Sequence, residues 1–483
     1  MKFLLLSDLG AKPTRAGLLK NNSRSSGALH IVEIARAHGV DATNIDYWTE
    51  WPKDLLEQSI LNWFADDPEI WIALSGSIDG SSTQQFKQLV SHLKKQKPHL
   101  KVILGGYRVP TGESDWVDFA FIGRSGNIFT EWLQGNDLEK YVFSRNPLTY
   151  KNPHGQILEK PVSPKLTHTD FWSPQETHTV EIALGCKFNC SFCGYDFRNN
   201  KNPVLIDPEV LYNTLNSAYQ NQGINKFVLA DDTINEIDDK LELLCSIIDQ
   251  LDFEPEFMAF VRADVMAAKP HQIDLLQRAK IKSMFFGIES LNPNVTKVIR
   301  KGGRPEKMLE GLLTLKKEYP QAFTYGNFLI GLTGDSEQDI WKNSREIVEK
   351  QALTSAGCNS LRLYTNLENP DVESDIDKNP EKFGYEIIGT DKEWKEIGYS
   401  SKHWKNDWST TAESDKLAFE IDQYLAENLE SKFTAHEIFG MTAVLPDLPW
   451  ANYNQHLNLF NTGRDKLVRK YIKSKSEWMI NTK

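Results

Sequence analysis

The chain has 483 residues, of which 40% are hydrophobic and 25% are charged, the composition of a soluble globular protein. At roughly 100–200 residues per domain, this length predicts about three domains. The net charge of −11 argues against a nucleic-acid partner, because such partners need a clustered basic surface. No apolar run approaches the roughly 18–20 residues of a membrane span. We therefore expect a cytoplasmic protein that neither binds nucleic acid nor enters a membrane.

Residues 1–135 alternate between short apolar strands and amphipathic helices. The strands are expected at 2–7, 41–48, 70–75, 101–104 and 118–122. This alternation predicts a doubly wound, Rossmann-like parallel sheet, whose ligands bind beyond the carboxyl ends of its strands. Small residues at those ends would let a ligand approach the backbone closely. They occur in four segments: Ser7 to Gly10, Ser75 to Ser77, Gly105 to Tyr107 and Gly123 to Gly126.

A second series of strands and helices follows a proline-punctuated stretch, residues 136–175, which we interpret as a linker. Six strands are expected, at 179–184, 226–230, 256–261, 283–289, 324–330 and 359–364. Residues 176–368 number about 190, fewer than the ~250 of a full eight-unit barrel, so we predict a partial (β/α)6 TIM-like barrel. The remainder, 369–483, is rich in tryptophan, and helices are expected near 415–430 and 464–475. We expect this mainly helical segment to cap the barrel and shape the substrate site.

Three of the five cysteines, Cys186, Cys190 and Cys193, stand close together where the first barrel strand ends. This clustering favours a metal site in a reducing compartment rather than a disulfide framework. Thiolates bind both iron–sulfur clusters and zinc. Buried, unreactive thiols are one alternative. A zinc site is another, and its fourth ligand would come from His178, His168, Cys245 or Cys358.

The run Cys-x3-Cys-x2-Cys, with Phe192 before the last cysteine and Gly194 after it, resembles the signature of the radical S-adenosylmethionine (SAM) superfamily. The resemblance implies that the three cysteines bind three irons of a [4Fe–4S] cluster and that SAM chelates the fourth. It also implies reductive cleavage of SAM to a 5′-deoxyadenosyl radical that abstracts a substrate hydrogen. The electron would come from a reducing protein such as flavodoxin or ferredoxin.

Four further strand ends resemble motifs of the same superfamily. These segments are Ala230 to Thr233, Phe260 to Asp264, Phe286 to Ser290 and Phe328 to Glu337. The resemblance assigns cofactor binding to one or two residues of each: Asp231, Asp232, Arg262, Glu289 and Gly331. Arg262 would pair with the SAM carboxylate, and Glu289 would lie near the amine or ribose. Each residue also has a purely structural interpretation: the aspartates as helix caps, Glu289 as an ion-pair partner and Gly331 as a turn residue.

The amino-terminal domain resembles the cobalamin-binding domain that precedes the barrel in one branch of this superfamily. That domain often carries Asp-x-His-x-x-Gly, which this sequence lacks, so the resemblance is to the members without the histidine. It implies that Ser75, Gly105 and Gly106 approach the corrin and its nucleotide tail. The alternative is a domain that binds nothing and supports the barrel.

The combined interpretation is a radical SAM enzyme acting on a small molecule or a peptide. Cobalamin, if bound, favours methyl transfer; without it, hydrogen abstraction leading to oxidation or rearrangement stays open. A zinc-stabilised binding protein and an RNA-modifying radical enzyme are the alternative functions.

Overall fold

The computed structural model of the chain describes most of its residues. They are 1–8, 23–75, 82–106, 109, 114–152, 160–194, 201–366, 373–390 and 399–482. Parts of three predicted ligand-binding segments, Leu9 to Gly10, Gly76 to Ser77 and Tyr107, lie outside the described residues. In the described ranges no helix is both long and apolar enough to cross a membrane.

The first domain is a seven-stranded sheet in the order β2-β1-β3-β4-β5-β7-β6. Its strands are β1 (Lys2–Leu6), β2 (Asp41–Ile45), β3 (Ile70–Ser75), β4 (Lys101–Gly106), β5 (Phe119–Ile122), β6 (Val142–Arg145) and β7 (Leu148–Lys151). Its helices are α1 (Ser26–Ala37), α2 (Lys53–Phe64), α3 (Ser82–Gln96) and α4 (Gly126–Leu133). Leu4 and Leu6 of β1 join one core, whereas Phe3 and Leu5 join the core on the opposite face. The doubly wound, parallel architecture is confirmed.

Residues 136–175, which we interpreted as an extended linker, contain two strands of the first sheet. Strands β6 and β7 form an antiparallel pair, and β7 adds parallel to β5, so this stretch completes the first sheet. Residues of β6 alternate between half-buried and exposed, as expected of an edge strand. Strand β6 was not predicted because it is short and polar, so its alternating pattern is weak, and because Pro147 follows it closely.

The second domain is a six-stranded, wholly parallel half-barrel in the order β15-β14-β13-β12-β11-β8. The strands of this part of the chain are β8 (His178–Val180), β9 (Ala183–Leu184), β10 (Val204–Leu205), β11 (Lys226–Leu229), β12 (Glu256–Val261), β13 (Ile281–Glu289), β14 (Phe323–Ile330) and β15 (Ser355–Ser360). The helices are α5 (Pro208–Gln222), α6 (Asp238–Ile248), α7 (Ala263–Ala268), α8 (Gln272–Arg278), α9 (Pro293–Val298), α10 (Pro305–Glu318) and α11 (Glu337–Lys350). The partial barrel is confirmed. Its last strand lies four residues earlier than the predicted 359–364.

The carboxyl-terminal segment adds a three-stranded antiparallel sheet and four helices. They are β16 (Leu363–Asn366), β17 (Glu386–Thr390), β18 (Tyr399–Lys405), α12 (Asp375–Lys378), α13 (Thr411–Asn428), α14 (Ala435–Val444) and α15 (Leu457–Asn481). Helix α13 covers the free edge of β15, where Asp422 accepts the backbone N–H of Cys358 at 3.0 Å. Helix α15 returns to the first domain, where Arg464 makes two hydrogen bonds to Glu50. The last segment therefore contacts both domains.

Candidate active site

The cysteine loop begins immediately after β9, at the carboxyl end of the barrel. Gly185, at φ +111°, adopts a backbone conformation that favours glycine. Beyond it, the backbone N–H of Lys187 donates to Glu236 at 2.8 Å, and that of Ser191 donates to the Ile299 carbonyl at 3.0 Å. The loop is thus fixed to its surroundings by main-chain hydrogen bonds at two points.

All three cysteines line one cavity of about 190 Å³. The other lining residues come from the cysteine loop, from β11, β12 and β13 or the residues just after them, and from the turn after α9. They are Phe188, Phe192, Asp232, Thr233, Phe260, Val261, Arg262, Phe285, Gly287, Glu289 and Lys301. Phe192, Asp232, Arg262 and Glu289 were predicted for this site. Gly194 is the last described residue before the gap at 195–200.

Arg262 links the cysteine loop to the third barrel strand. Its Nη1 donates to the Cys190 sulfur at 3.3 Å, and its guanidinium carbon lies 3.7 Å from the centre of the Phe188 ring. The other side of the guanidinium makes two hydrogen bonds to Asp264, at 2.9 and 2.7 Å. The guanidinium thus places a positive charge beside the Cys190 sulfur. Burial raises the pKa of the Cys186 thiol to about 12.

Glu289 and Lys301 form a buried ion pair at the wall of the cavity, with Oε1 and Nζ 3.1 Å apart. Glu289 has a left-handed backbone, φ +64°, which non-glycine residues seldom adopt. The neighbouring Gly287 makes room for it, because a Cβ there would lie 2.6 Å from the Glu289 carboxylate. This local arrangement directs a carboxylate and an ammonium group towards the cysteines.

The two neighbouring aspartates occupy different environments. Asp231 is buried and accepts the backbone N–H groups of Ile182 and Ala183, each at 2.8 Å, so it anchors the strand that leads into the cysteine loop. Asp232 lines the cavity, where burial and the adjacent Asp231 raise its pKa to about 7. The structure thus places Asp232, and not Asp231, on the cavity wall.

Gly331 lies at the interface with the carboxyl-terminal segment. It adopts φ +96°, and a Cβ on it would lie 2.4 Å from the indole of Trp404. Its carbonyl accepts hydrogen bonds from Tyr385 and Asn406, both at 3.0 Å. These contacts give Gly331 a packing role, and it is not among the residues that line the cysteine cavity.

A second cavity, of about 260 Å³, lies at the carboxyl ends of β1, β3, β4 and β5. Ser75, Gly105 and Gly106, the three residues predicted to approach cobalamin, all line it. A Cβ on Gly105 would have nothing within 4 Å, so this position opens onto free space. Apolar side chains form most of the remaining wall: Phe3, Leu5, Ile31, Ile103, Phe121 and Phe129.

Three polar side chains meet at the same cavity. Arg124 and Glu181 form a two-point salt bridge at 2.7 and 2.9 Å, which joins the first domain to the segment just before the cysteines. Burial and the charge of Arg124 lower the pKa of His30, on α1, to about 4. His30 is therefore a neutral imidazole at physiological pH.

The alternative zinc ligands lie away from the cysteine cavity. His178 is buried and its Nε2 is hydrogen-bonded to the Pro164 carbonyl at 2.9 Å, and the Cys245 sulfur contacts the Leu275 carbonyl. Cys358, on β15, is buried in the core between the barrel strands and the helices that cover them. Within the described ranges no three His, Cys, Asp or Glu side chains converge on one metal ion. A four-iron cluster does not need such convergence, because each thiolate binds a separate iron. The zinc alternative is not supported.

Several residues of the site were missed in the sequence. Lys301 follows no familiar motif, although the Gly302-Gly303 pair after it, with both φ near +80°, marks a specialised turn. Lys240, on α6, and Glu236, just before this helix, form an ion pair under the loop, at 2.7 Å. Such a charge pair gives no sign of burial in the sequence.

Together, the fold and the cavity define a class of α/β enzyme with a three-cysteine site at the carboxyl end of a half-barrel. Residues 180–347 match the family model of the Radical SAM superfamily. The chain therefore contains a radical SAM domain, and the resemblance predicted from the cysteine motif is confirmed.

Curated relatives match part of the chain. Ribosomal protein uS12 methylthiotransferase RimO of Streptomyces coelicolor is 28% identical over 170 residues, 34% of each protein. The tRNA-2-methylthio-N(6)-dimethylallyladenosine synthase of Bifidobacterium adolescentis is 22% identical over 288 residues, 56% of each protein. The chain thus spans between a third and about half of the length of these relatives.

Solved structures share the fold over nearly the whole chain. The radical SAM methyltransferase TsrM of Kitasatospora setae, with cobalamin and a [4Fe–4S] cluster bound, has a TM-score of 0.64 at 12% identity and covers 98% of this chain and 100% of its own. The cobalamin-dependent SAM radical enzyme OxsB has a TM-score of 0.58 at 12% identity, covering 99% of this chain and 80% of its own. This similarity establishes the common fold of both domains.

Proposed function

We propose that this chain is a cobalamin-dependent radical SAM enzyme that methylates a small molecule or a peptide. The observation that carries the proposal is the placement of Cys186, Cys190 and Cys193 around one cavity, inside the segment that matches the Radical SAM superfamily. The amino-terminal cavity, in a fold shared with cobalamin-binding proteins, supports the cobalamin part.

The donor set of the first cavity fits a [4Fe–4S] cluster. All three thiols are free cysteines, and three protein ligands leave one iron open to SAM. The charged side chains that line the same cavity are Asp232, Arg262, Glu289 and Lys301. We assign Lys301 to the SAM carboxylate, because among the described residues its ammonium pairs with Glu289 alone, whereas the guanidinium of Arg262 is held by Asp264, Cys190 and the Lys301 carbonyl. We assign Glu289 to the SAM amine or ribose hydroxyls.

The second cavity fits part of a cobalamin. Its apolar walls suit a flat heteroaromatic group such as the base of a nucleotide tail, and Gly105 and Gly106 let such a group approach the strand ends. The cavity is smaller than the whole cofactor, so the corrin would extend beyond it.

When bound, the cluster supplies an electron to SAM and cobalamin supplies a carrier for the methyl group. The protein's own residues hold both sites in place. The Arg124–Glu181 salt bridge fixes the domain boundary, and the hydrogen bonds of Asp231 and Glu236 fix the segment on either side of Cys186. The proposal also includes an electron donor, a reducing protein such as flavodoxin or ferredoxin, and a cytoplasmic location.

The test is anaerobic purification followed by reconstitution with iron, sulfide and hydroxocobalamin. The proposal expects about four irons per chain and a corrin spectrum that survives desalting. With SAM and reductant, methyl transfer releases S-adenosylhomocysteine, whereas hydrogen abstraction without methylation releases only 5′-deoxyadenosine. A protein that binds the cluster but loses the corrin on desalting would contradict the cobalamin part alone.

A further inference from the structure

Helix α14 of the carboxyl-terminal segment packs on the inner face of the half-barrel. Its Ala435 carbonyl accepts a hydrogen bond from the Ser283 hydroxyl of β13, at 2.8 Å. Side chains of three barrel strands and of the last segment share one apolar cluster here: Val228, Met258, Phe323, Tyr325, Phe433, Ile438, Phe439 and Phe460. The outward-facing side chains of the same strands belong to a different core. Helix α14 therefore closes the barrel from the side of the strand amino ends.

His436, in the first turn of α14, lies between this closure and the cysteine cavity. Its ring centre is 5.2 Å from that of Phe260 and 6.2 Å from that of Phe285, and both phenylalanines line the cavity. The Phe285 ring in turn contacts Phe260 at 5.1 Å and Tyr325 at 5.0 Å. Four rings thus form a continuous aromatic floor beneath the cysteines.

The imidazole of His436 is available to a ligand. The side chain is exposed to solvent, and within the described ranges no group hydrogen-bonds to it. Yet the surroundings are dense enough that desolvation lowers the pKa of the imidazole to about 4. The ring is therefore neutral, with one N–H donor and one acceptor nitrogen.

A pair of amides lies on the neighbouring strands. Asn327 of β14 is in register with Gly287, which lines the cysteine cavity. The Asn359 side-chain amide of β15 donates to the Asn327 side-chain oxygen at 2.7 Å. The pair is half-buried to exposed. Among the described residues its amides bond each other once, through one donor and one acceptor, so an NH2 and a C=O of the pair can bond a ligand.

We propose that the barrel interior between the cysteines and α14 is the substrate site, and that it takes a flat, apolar ring bearing a neutral hydrogen-bonding group. Phe260, Phe285 and His436 hold the face of the ring, and the imidazole or the Asn327–Asn359 pair bonds its polar edge. The imidazole of His436 and the two amides carry no charge, so they suit a neutral hydrogen-bonding group on the ring. The inference rests on the proposed function, since it places the substrate of that reaction.

Binding of indole, a flat ring with one N–H, tests the proposal without knowledge of the true substrate. The measurement is saturation-transfer NMR on the full chain with its cluster, comparing wild type with His436→Ala and Asn327→Leu. Loss of one hydrogen bond and its ring contact should weaken indole binding about tenfold in His436→Ala. His99→Ala, at an exposed position of the first domain, is the matched control and should bind indole like wild type.

Iron content and far-ultraviolet circular dichroism are measured on the same samples. Asn327→Leu lies on a strand rather than on α14, so it tests the site independently if His436→Ala fails to fold. Indole binding that is equal in wild type and in every folded variant would overturn the proposal, as would its absence from wild type. A protein without iron that still shows the expected indole pattern would contradict the proposed function and leave the binding site standing.

Discussion

Lys240 and Asp231 form an ion pair beneath the cysteine loop, with Nζ and Oδ1 3.2 Å apart and the two side chains 0% and 1% exposed. The same ammonium group lies 2.7 Å from Glu236. Asp231 binds the backbone just before Cys186, and Glu236 binds the backbone N–H of Lys187 just after it. One buried lysine thus neutralises both carboxylates that position the loop.

Replacing this lysine with an isosteric apolar residue should destabilise the loop. Lys240→Met leaves two buried carboxylates without their counter-charge, which costs about 3–5 kcal/mol in buried ion pairs. We expect a lower melting temperature and less iron per chain after reconstitution, measured by calorimetry and by iron assay. Lys416→Met, at an exposed position of α13, should change neither. An unchanged iron content in Lys240→Met would show that the loop does not depend on this pair.

The amino-terminal cavity can be filled from a single position. Gly105 has no positive φ and no atom near its Cβ direction, so a side chain fits the backbone and enters the cavity. Gly105→Leu should reduce the cobalamin retained after desalting by at least about tenfold and leave the iron content unchanged. Gly105→Ala, which adds one methyl group, is the matched control and should keep most of the corrin. Equal retention by both variants would place cobalamin elsewhere.

His178 should make the protein less stable in mild acid. Burial lowers its pKa from 6.5 to about 4, so between these values the unfolded chain binds a proton that the folded chain does not. Stability therefore falls as the pH drops from 6.5 towards 4, by up to about 3 kcal/mol from this residue. Denaturant titrations between pH 7 and 5 should show a shallower dependence for His178→Gln, whose amide can still donate to Pro164. The control is His99→Gln, which should show the same pH dependence of stability as wild type. Parallel curves of stability against pH for wild type and His178→Gln would contradict this account.

The strand–helix order was predictable because buried parallel strands are apolar and their covering helices are amphipathic. The errors have local causes. Strand β15 begins with the small or polar residues Ser355-Ala356-Gly357, and its burial depends on α13 and Tyr325, which are distant in sequence. The strand was predicted too late, at 359–364, because Leu361 to Tyr364 is more apolar, but this segment leads into β16.

Among the site residues, those fixed by a local motif were predictable and those brought in by tertiary contacts were not. Arg262 and Glu289 stand at strand ends and reach the cavity as expected. Asp231 and Gly331 occur in equally suggestive motifs, yet the structure gives them packing and anchoring contacts. The position of His436 could not have been predicted, because its contacts with Phe260 and Phe285 depend on α14, which comes from a segment without a recognisable pattern.

The most direct test of the central claim is the formation of 5′-deoxyadenosine or S-adenosylhomocysteine from SAM under reductant, measured together with iron content. Cys190→Ala should lose the cluster and both products, because the remaining two thiolates cannot hold it. Cys245→Ala, whose thiol lies in the core outside the barrel, should keep about four irons per chain and turn over SAM like wild type. Retained turnover in Cys190→Ala, or equal loss in both variants, would contradict the assignment of Cys186, Cys190 and Cys193 as the cluster ligands.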